Sequence, residues 1–370
     1  KSTPLMVVLG FLTLDGLLGT GGSFGNIKRY IGLGEQLSGY VSNTTVGAGE
    51  SHLNPSQGGL PPAHVVWHVK SAYGPDPTQQ LDTDGYFIEN TATSYTDGRG
   101  WEYENDVKEK VGNLPRYLGT STPMIEMWRS ISVGPLGSSE IKIPLKVGTS
   151  LGALDVYDPS DRGASVDHQA LRLDDNTILL RVDSEFLQTL RVLIHATLVK
   201  DDAHGVRPST ALLESIDPTT IDSQAIEKLG LLGIRPGVGS DEVFEAIRDT
   251  KLYSIVDGSD GRLSRTDTAE DRLEVAADMS TANCATANEE AILATALMGN
   301  KDRVMATGFI AGNDNGHETI VQDRVLRSDT AHAFALDLEG AIHDATPSRL
   351  AADEQTKKYL EQLGKPAISG

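Results

Sequence analysis

Gly148-Thr149-Ser150-Leu151-Gly152 sets a serine between two glycines in the G-x-S-x-G spacing of a nucleophile elbow. The spacing serves catalysis when a strand leads in and a helix leads out, because the sharp turn then lifts the serine oxygen clear of the sheet. A base must follow, and His317, His332 and His343 come later in the chain. Against this, no HGGG-like oxyanion segment precedes Ser150, and Asp155, Asp158 and Pro159 interrupt the helix that the elbow requires. The competing reading is a glycine turn leaving an edge strand, and the sequence favours it. Cys284 is the one cysteine, which excludes an intrachain disulfide. Its neighbours Ala282, Ala285 and Ala287 point to a small packed residue, and no base adjoins it in sequence to draw off its proton.

Asp257, Asp260 and Asp267, with Gly261 and Leu263 between them, resemble a calcium loop of the EF-hand or dockerin kind. The resemblance implies a bound calcium ion with those three carboxylates as ligands, glycine at the sharp turn and Leu263 tying the loop to a core. The segment before Asp260 is one residue shorter than such loops use, and the last ligand is Asp where Glu is usual. An ordinary Asp-Gly turn is the bland reading.

Other motifs point away from their namesakes. Pro236-Gly237-Val238-Gly239, followed by Val243, Ala246 and Ile247, resembles a helix-hairpin-helix, but Asp241 and Glu242 stand where a DNA binder presents lysine. A tight interhelical turn is expected there. Gly19 to Gly25 resembles a dinucleotide loop with the third glycine replaced by Phe24 and no βαβ pattern after it. His64 and His68 share a strand face but lie about 13 Å apart at strand rise, too far for one metal. The adjacent pairs Asp174-Asp175 and Asp201-Asp202 suit turns better than a carboxylate dyad.

The elements that must position these residues fall into three stretches. Residues 1–134 are rich in Gly, Pro, Ser, Thr and Asn and predict extended loops and arms, with one alternating run at 64–70. The apolar stretch Leu5–Leu14 is too short for a membrane span, which needs about 20 residues, and reads as a buried strand or short helix. The start at Lys1 points to proteolytic processing or trimming, and the lone sequon at Asn43 carries no weight.

Residues 135–205 predict a central antiparallel β-rich block. Ile141, Ile143, Leu145 and Val147 alternate with Lys142, Pro144 and Lys146, a half-buried strand that Pro144 assigns to a sheet edge. Leu171–Leu173 and Ile178–Val182 flank a turn, and 190–199 alternates again. Residues 206–370 predict a helix-rich half, with helices starting at Ser240, spanning Ala285–Met298, opening at Ser328 or Asp329 with Phe334, Leu338 and Ile342 on one stripe, and starting again near Ser348. The whole is α+β.

The net charge is −20, and residues 206–370 hold 16 of the basic and 28 of the acidic side chains. Such a surface repels phosphate, so direct nucleic-acid binding through a basic arm is not expected. Extended loops, an edge strand, acidity and the lack of a coherent catalytic set lead to a self-assembling structural protein, a viral or phage capsid shell, with copies of itself as partners and a virion or extracellular location. A serine hydrolase built on Ser150 is the alternative, and a calcium-binding extracellular surface protein the second.

Overall fold

Val192, Ile194, Ala196 and Leu198 alternate along the strand Leu190–Lys200, and all four side chains are fully buried. The computed structural model describes residues 52–53, 65–72, 81–97, 100–103, 106–112, 123–133, 138–161, 163–183, 189–208, 216–254, 262–263, 268–311, 323–327 and 331–351. Within these, Leu190–Lys200 belongs to a six-stranded antiparallel sheet ordered 164–165, 149–158, 190–200, 124–133, 65–72, 323–327.

A second, four-stranded sheet is built around the hairpin His168–Leu173 and Ile178–Asp183, with Val107–Lys110 and Ser138–Ile143 outside it. Asn176 takes the left-handed φ of 65° that the hairpin turn needs. Asp175 fixes the turn by accepting from Thr177 N at 2.8 Å and Thr177 Oγ1 at 2.5 Å.

Ser138–Ile143 is an edge strand, as Pro144 led one to expect, but the alternation at 141–147 is not one strand. It is divided at Pro144. Leu145–Lys146 leaves the second sheet and pairs with Phe87 and Ile88 of a third. A residue without an N–H can end one ladder while the chain crosses to the next.

The third sheet is antiparallel and ordered 342–343, 331–337, 303–310, 86–91, 145–146. Its central strands are buried on both faces. Val304, Ala306, Phe334 and Leu336 pack into the core shared with the other sheets, while Met305, Ala333 and Ala335 pack into a helical core. At Gly308 the ladder with Tyr86–Thr91 shifts register, and a Cβ there would stand 1.8 Å from Phe87 O, so glycine alone permits the approach.

The helices are α1 (Ser223–Leu231), α2 (Ser240–Thr250), α3 (Ala269–Asp278) and α4 (Cys284–Leu297). α2 has Val243, Phe244 and Ile247 buried, as its pattern predicts, with Gly239 rather than Ser240 as its N-cap. Gly237, at φ 92°, makes the interhelical turn before it. α4 is buried along its whole length from Cys284 to Ala296. A helix buried all round belongs inside a molecule, and its alanines let α2, α3 and the third sheet approach closely. Its two acids are matched: Glu289 takes a two-pronged pair from Arg272 at 3.0 and 2.8 Å, and Glu290 pairs with Lys251 at 2.5 Å.

The architecture is mixed and strand-rich; all four described helices fall within 206–370, but they share that half with strands and one helix expected there is a strand. Residues 331–337, expected as a helix, form a strand, because a strand buried on both faces shows a continuous apolar run instead of an alternation. Arg349–Leu350 is a short strand where a last helix was expected to begin, and the rest of that helix lies outside the described residues. The loops and arms expected over 1–134 fall mostly outside as well, but 65–72, 86–91 and 124–133 are strands. All three large sheets draw strands from across the boundary at 134, and the six-stranded and third sheets also from across that at 205.

Candidate active site

Asn283 ends a short strand segment and caps α4. Its side chain accepts from Thr286 N at 2.9 Å while Thr286 Oγ1 accepts from Asn283 N at 3.0 Å, a reciprocal capping box. Cys284 is therefore the first residue of the helix, where the unpaired N–H dipoles concentrate positive partial charge. Its side chain is 4% exposed. The third sheet brings His332, the second residue of Ala331–Asp337, close enough for the thiol to act on the imidazole.

His332 Nε2 donates to Asp344 Oδ2 at 2.8 Å. Asp344 follows the strand Ile342–His343 that forms a hairpin with Ala331–Asp337. One turn at Gly340, φ 88°, thus sets the carboxylate beside the imidazole.

Asp344 is held by further donors. Tyr86 Oη donates to Oδ2 at 2.5 Å; Thr346 N and Thr346 Oγ1 donate to Oδ1 at 2.8 and 2.5 Å. Burial opposes its ionisation, but the hydrogen bond and charge of His332, with Thr346 and Tyr86, outweigh that and hold the carboxyl well below the usual range. Burial likewise opposes a charged imidazole, yet the Cys284 thiolate and Asp344 together raise His332 to about 10. Tyr86, on the strand Tyr86–Thr91, is pushed up by burial and by Asp344, so it stays a donor. Its ring and that of Phe334 flank the imidazole at 5.7 and 6.1 Å. The result is a series of thiol, imidazole and carboxylate in a largely dry setting.

Cys284 was expected to be only a packed small residue. It is packed, and it is also paired with a base that comes from a different element far along the chain. His332 had been considered only as a partner for Ser150. The signals present in the sequence were a cysteine just inside a helix capped by Asn283 and Thr286, and a histidine and aspartate on the two arms of a hairpin. The helix expected to open at Ser328 or Asp329, with Phe334, Leu338 and Ile342 on one stripe, conceals the second.

Ser150 does not stand on an elbow. It lies within the strand Thr149–Asp158, paired with Val199, and no helix follows. Its hydroxyl is 5% exposed as a residue and donates to Asp201 Oδ2 at 3.0 Å. His204 Nδ1 meets the same carboxylate oxygen at 2.8 Å. The carboxylate therefore sits between serine and histidine, and among the described residues no imidazole is hydrogen-bonded to the serine hydroxyl. Asp201 also receives the backbone N–H groups of Ala203 and His204, the turn expected for Asp201-Asp202.

Asp257, Asp260 and Asp267 lie outside the described residues, as do Gly19–Gly25, His64 and His317. Leu263, expected to tie that loop to a core, is buried. Among the described residues no group of three or more His, Cys, Asp or Glu is disposed to hold a metal ion. Among the same residues no helix is long and apolar enough to cross a membrane.

No protein-family model matches the chain, and no curated protein matches it. Among solved structures, it is similar to one described as a "putative cysteine protease" from Cytophaga hutchinsonii, at 12% identity, covering 63% of this chain and 77% of that one. The TM-score is 0.29, so the likeness carries no argument about fold or activity.

Proposed function

We propose that the chain catalyses thiol-dependent acyl transfer, with Cys284 as nucleophile, His332 as general acid and base, and Asp344 as the group that orients and charges the imidazole. The observation that supports this is the meeting of Cys284, at the N-terminus of α4, with His332, which is itself hydrogen-bonded to Asp344. Nucleophile, base and orienting carboxylate in that order make up the triad logic known from unrelated folds.

In this reading the Cys284 sulfur attacks a carbonyl carbon, forming a C–S bond and a tetrahedral oxyanion. The positive end of α4 lowers the energy of that oxyanion. As the tetrahedral species collapses, His332 gives its proton to the leaving amine or alkoxide and the carbon–heteroatom bond breaks. His332, now neutral, takes a proton from the acceptor, water or an amine. The acceptor attacks the thioester, the C–S bond breaks, and the thiolate–imidazolium pair is restored. Asp344 stays charged throughout, since five donors, one of them from Asn288, surround its two oxygens.

The test is the pH dependence of alkylation by iodoacetamide, followed by mass. An ordinary thiol has a pKa of about 8.5. The expected result is rapid single alkylation at about pH 6, lost in Cys284→Ser and slowed about tenfold or more in His332→Ala. A wild-type rate that rises only above about pH 8 removes the reading.

A further inference from the structure

Asn288 lies one helical turn after Cys284 and is fully buried. Its amide touches every element of the triad. Nδ2 donates to Cys284 O at 2.8 Å, within α4, and to Ala333 O at 3.1 Å, on the residue after His332. It also reaches Asp344 Oδ1 at 3.1 Å and Thr346 Oγ1 at 3.4 Å. Oδ1 accepts from Ala345 N at 2.9 Å. The orientation of the amide is fixed by this set: all four neighbours of the nitrogen are acceptors and the neighbour of the oxygen is a donor. No other side chain of this size offers two donors and an acceptor at one position. Aspartate would set a carboxylate against two carbonyls and Asp344, and leucine would leave the Ala345 N–H and Ala333 O without this partner.

We infer that Asn288 is a positioning residue that clamps helix, strand and carboxylate loop into the one register where Cys284, His332 and Asp344 meet. The inference rests on the acyl-transfer reading of those three residues. Asn288 does not touch a reacting atom. It acts through the backbone of Cys284 and Ala333 and through the carboxylate of Asp344. The charged and titratable groups around the thiol are His332 on the sheet, Asp344 on its loop and Tyr86 on the far strand, with Arg248 of α2 acting on Tyr86 from a distance. Loss of the clamp frees Asp344 to drift from His332, the imidazolium loses its support, and the thiol holds its proton to higher pH.

The experiment measures iodoacetamide alkylation of the full chain against pH in the wild type, Asn288→Ala, Asn288→Ser and Leu293→Ala. A hydroxyl at 288 keeps an intrahelical bond to the Cys284 carbonyl but cannot span to Asp344. Leu293, fully buried on the same helix, serves as the control for lost stability. The expected result is an alkylation midpoint about one pH unit higher in both Asn288 variants, with the rate at about pH 6 down about tenfold and the rate at about pH 9.5 within threefold of wild type. Leu293→Ala melts lower but keeps the wild-type midpoint. An unchanged midpoint in Asn288→Ser, an equal shift in Leu293→Ala, or failure of both Asn288 variants to fold overturns the inference, the last because it makes the residue a structural one. A wild-type profile like that of an ordinary thiol overturns the acyl-transfer reading itself, which the variants do not.

Discussion

Asp344 carries two roles that a single substitution separates. Its shape holds the imidazole in place and its charge supports the imidazolium. Asn at 344 keeps the shape and removes the charge, and one of its atoms must then present N–H where oxygen accepts from Tyr86, Thr346, Asn288 and His332. Asp344→Asn should slow alkylation of Cys284 at about pH 6 by tenfold or more with little change in fold, measured on the same mass assay. A wild-type rate in that variant would remove Asp344 from the triad. Ser150→Ala, in contrast, should leave the profile untouched. At this scale the sequence offers the residue types but not their meeting. Ser150 advertises itself through two flanking glycines, whereas nothing local to Cys284 names His332. The turn residues were readable, because Asp174-Asp175-Asn176 and Asp201-Asp202 act through their own neighbours in sequence.

Among the elements, α4 is the one whose chemistry is most costly to disturb. Arg272 of α3 and Glu289 of α4 are 7% and 3% exposed, and the pair is met by a second bond from Arg272 Nη1 to Leu263 O at 2.9 Å. Removing one partner strands a charge in the interior. Arg272→Met should cost about 3–5 kcal/mol in denaturant unfolding, while Arg272→Met with Glu289→Leu should recover most of it. If the double variant is as unstable as the single, the pair is needed for reasons other than charge compensation. The legibility of elements follows how each is buried. The strand 190–200 and helix α2 bury one face, so their periods of two and 3.6 are visible. The strand 331–337 and helix α4 are buried all round, so neither shows a period. Length and the glycine at 299 still marked α4, but the strand had no such signal and its Phe334, Leu338 and Ile342 spacing imitates a helix.

The whole molecule keeps a further buried charge system between its sheets. Glu89 is 1% exposed on the strand Tyr86–Thr91, near Arg129 and Lys142. Burial raises its carboxyl to about 8 despite the pull of those two cations. An unfolded chain releases that proton near the ordinary value of about 4.3, so from there up to about pH 8 the native state holds more protons than the unfolded one. Native stability through this group must therefore fall as pH rises across that window. Glu89→Gln removes the slope: its stability relative to wild type should increase from about pH 5.5 to about pH 8.5 in paired denaturant titrations. A constant difference would mean that Glu89 is ionised in the native state. The general class, a mixture of strands and helices, was legible at this scale; its richness in strands and its layering were not, because the sheets recruit strands from distant stretches. The shell expectation drew on loops over 1–134, which lie mostly outside the described residues, and light scattering of the native chain is its separate test.

The solitary cysteine gives the molecule an inverted signature of denaturation. Buried thiols ordinarily gain reactivity when a chain unfolds and solvent reaches them. In the acyl-transfer reading the native fold itself creates the nucleophile, from a helix end, a strand and a hairpin loop that are neighbours only when folded. In mildly acidic solution, unfolding should silence the thiol. With one sulfhydryl per chain, the extent of alkylation there counts native molecules directly.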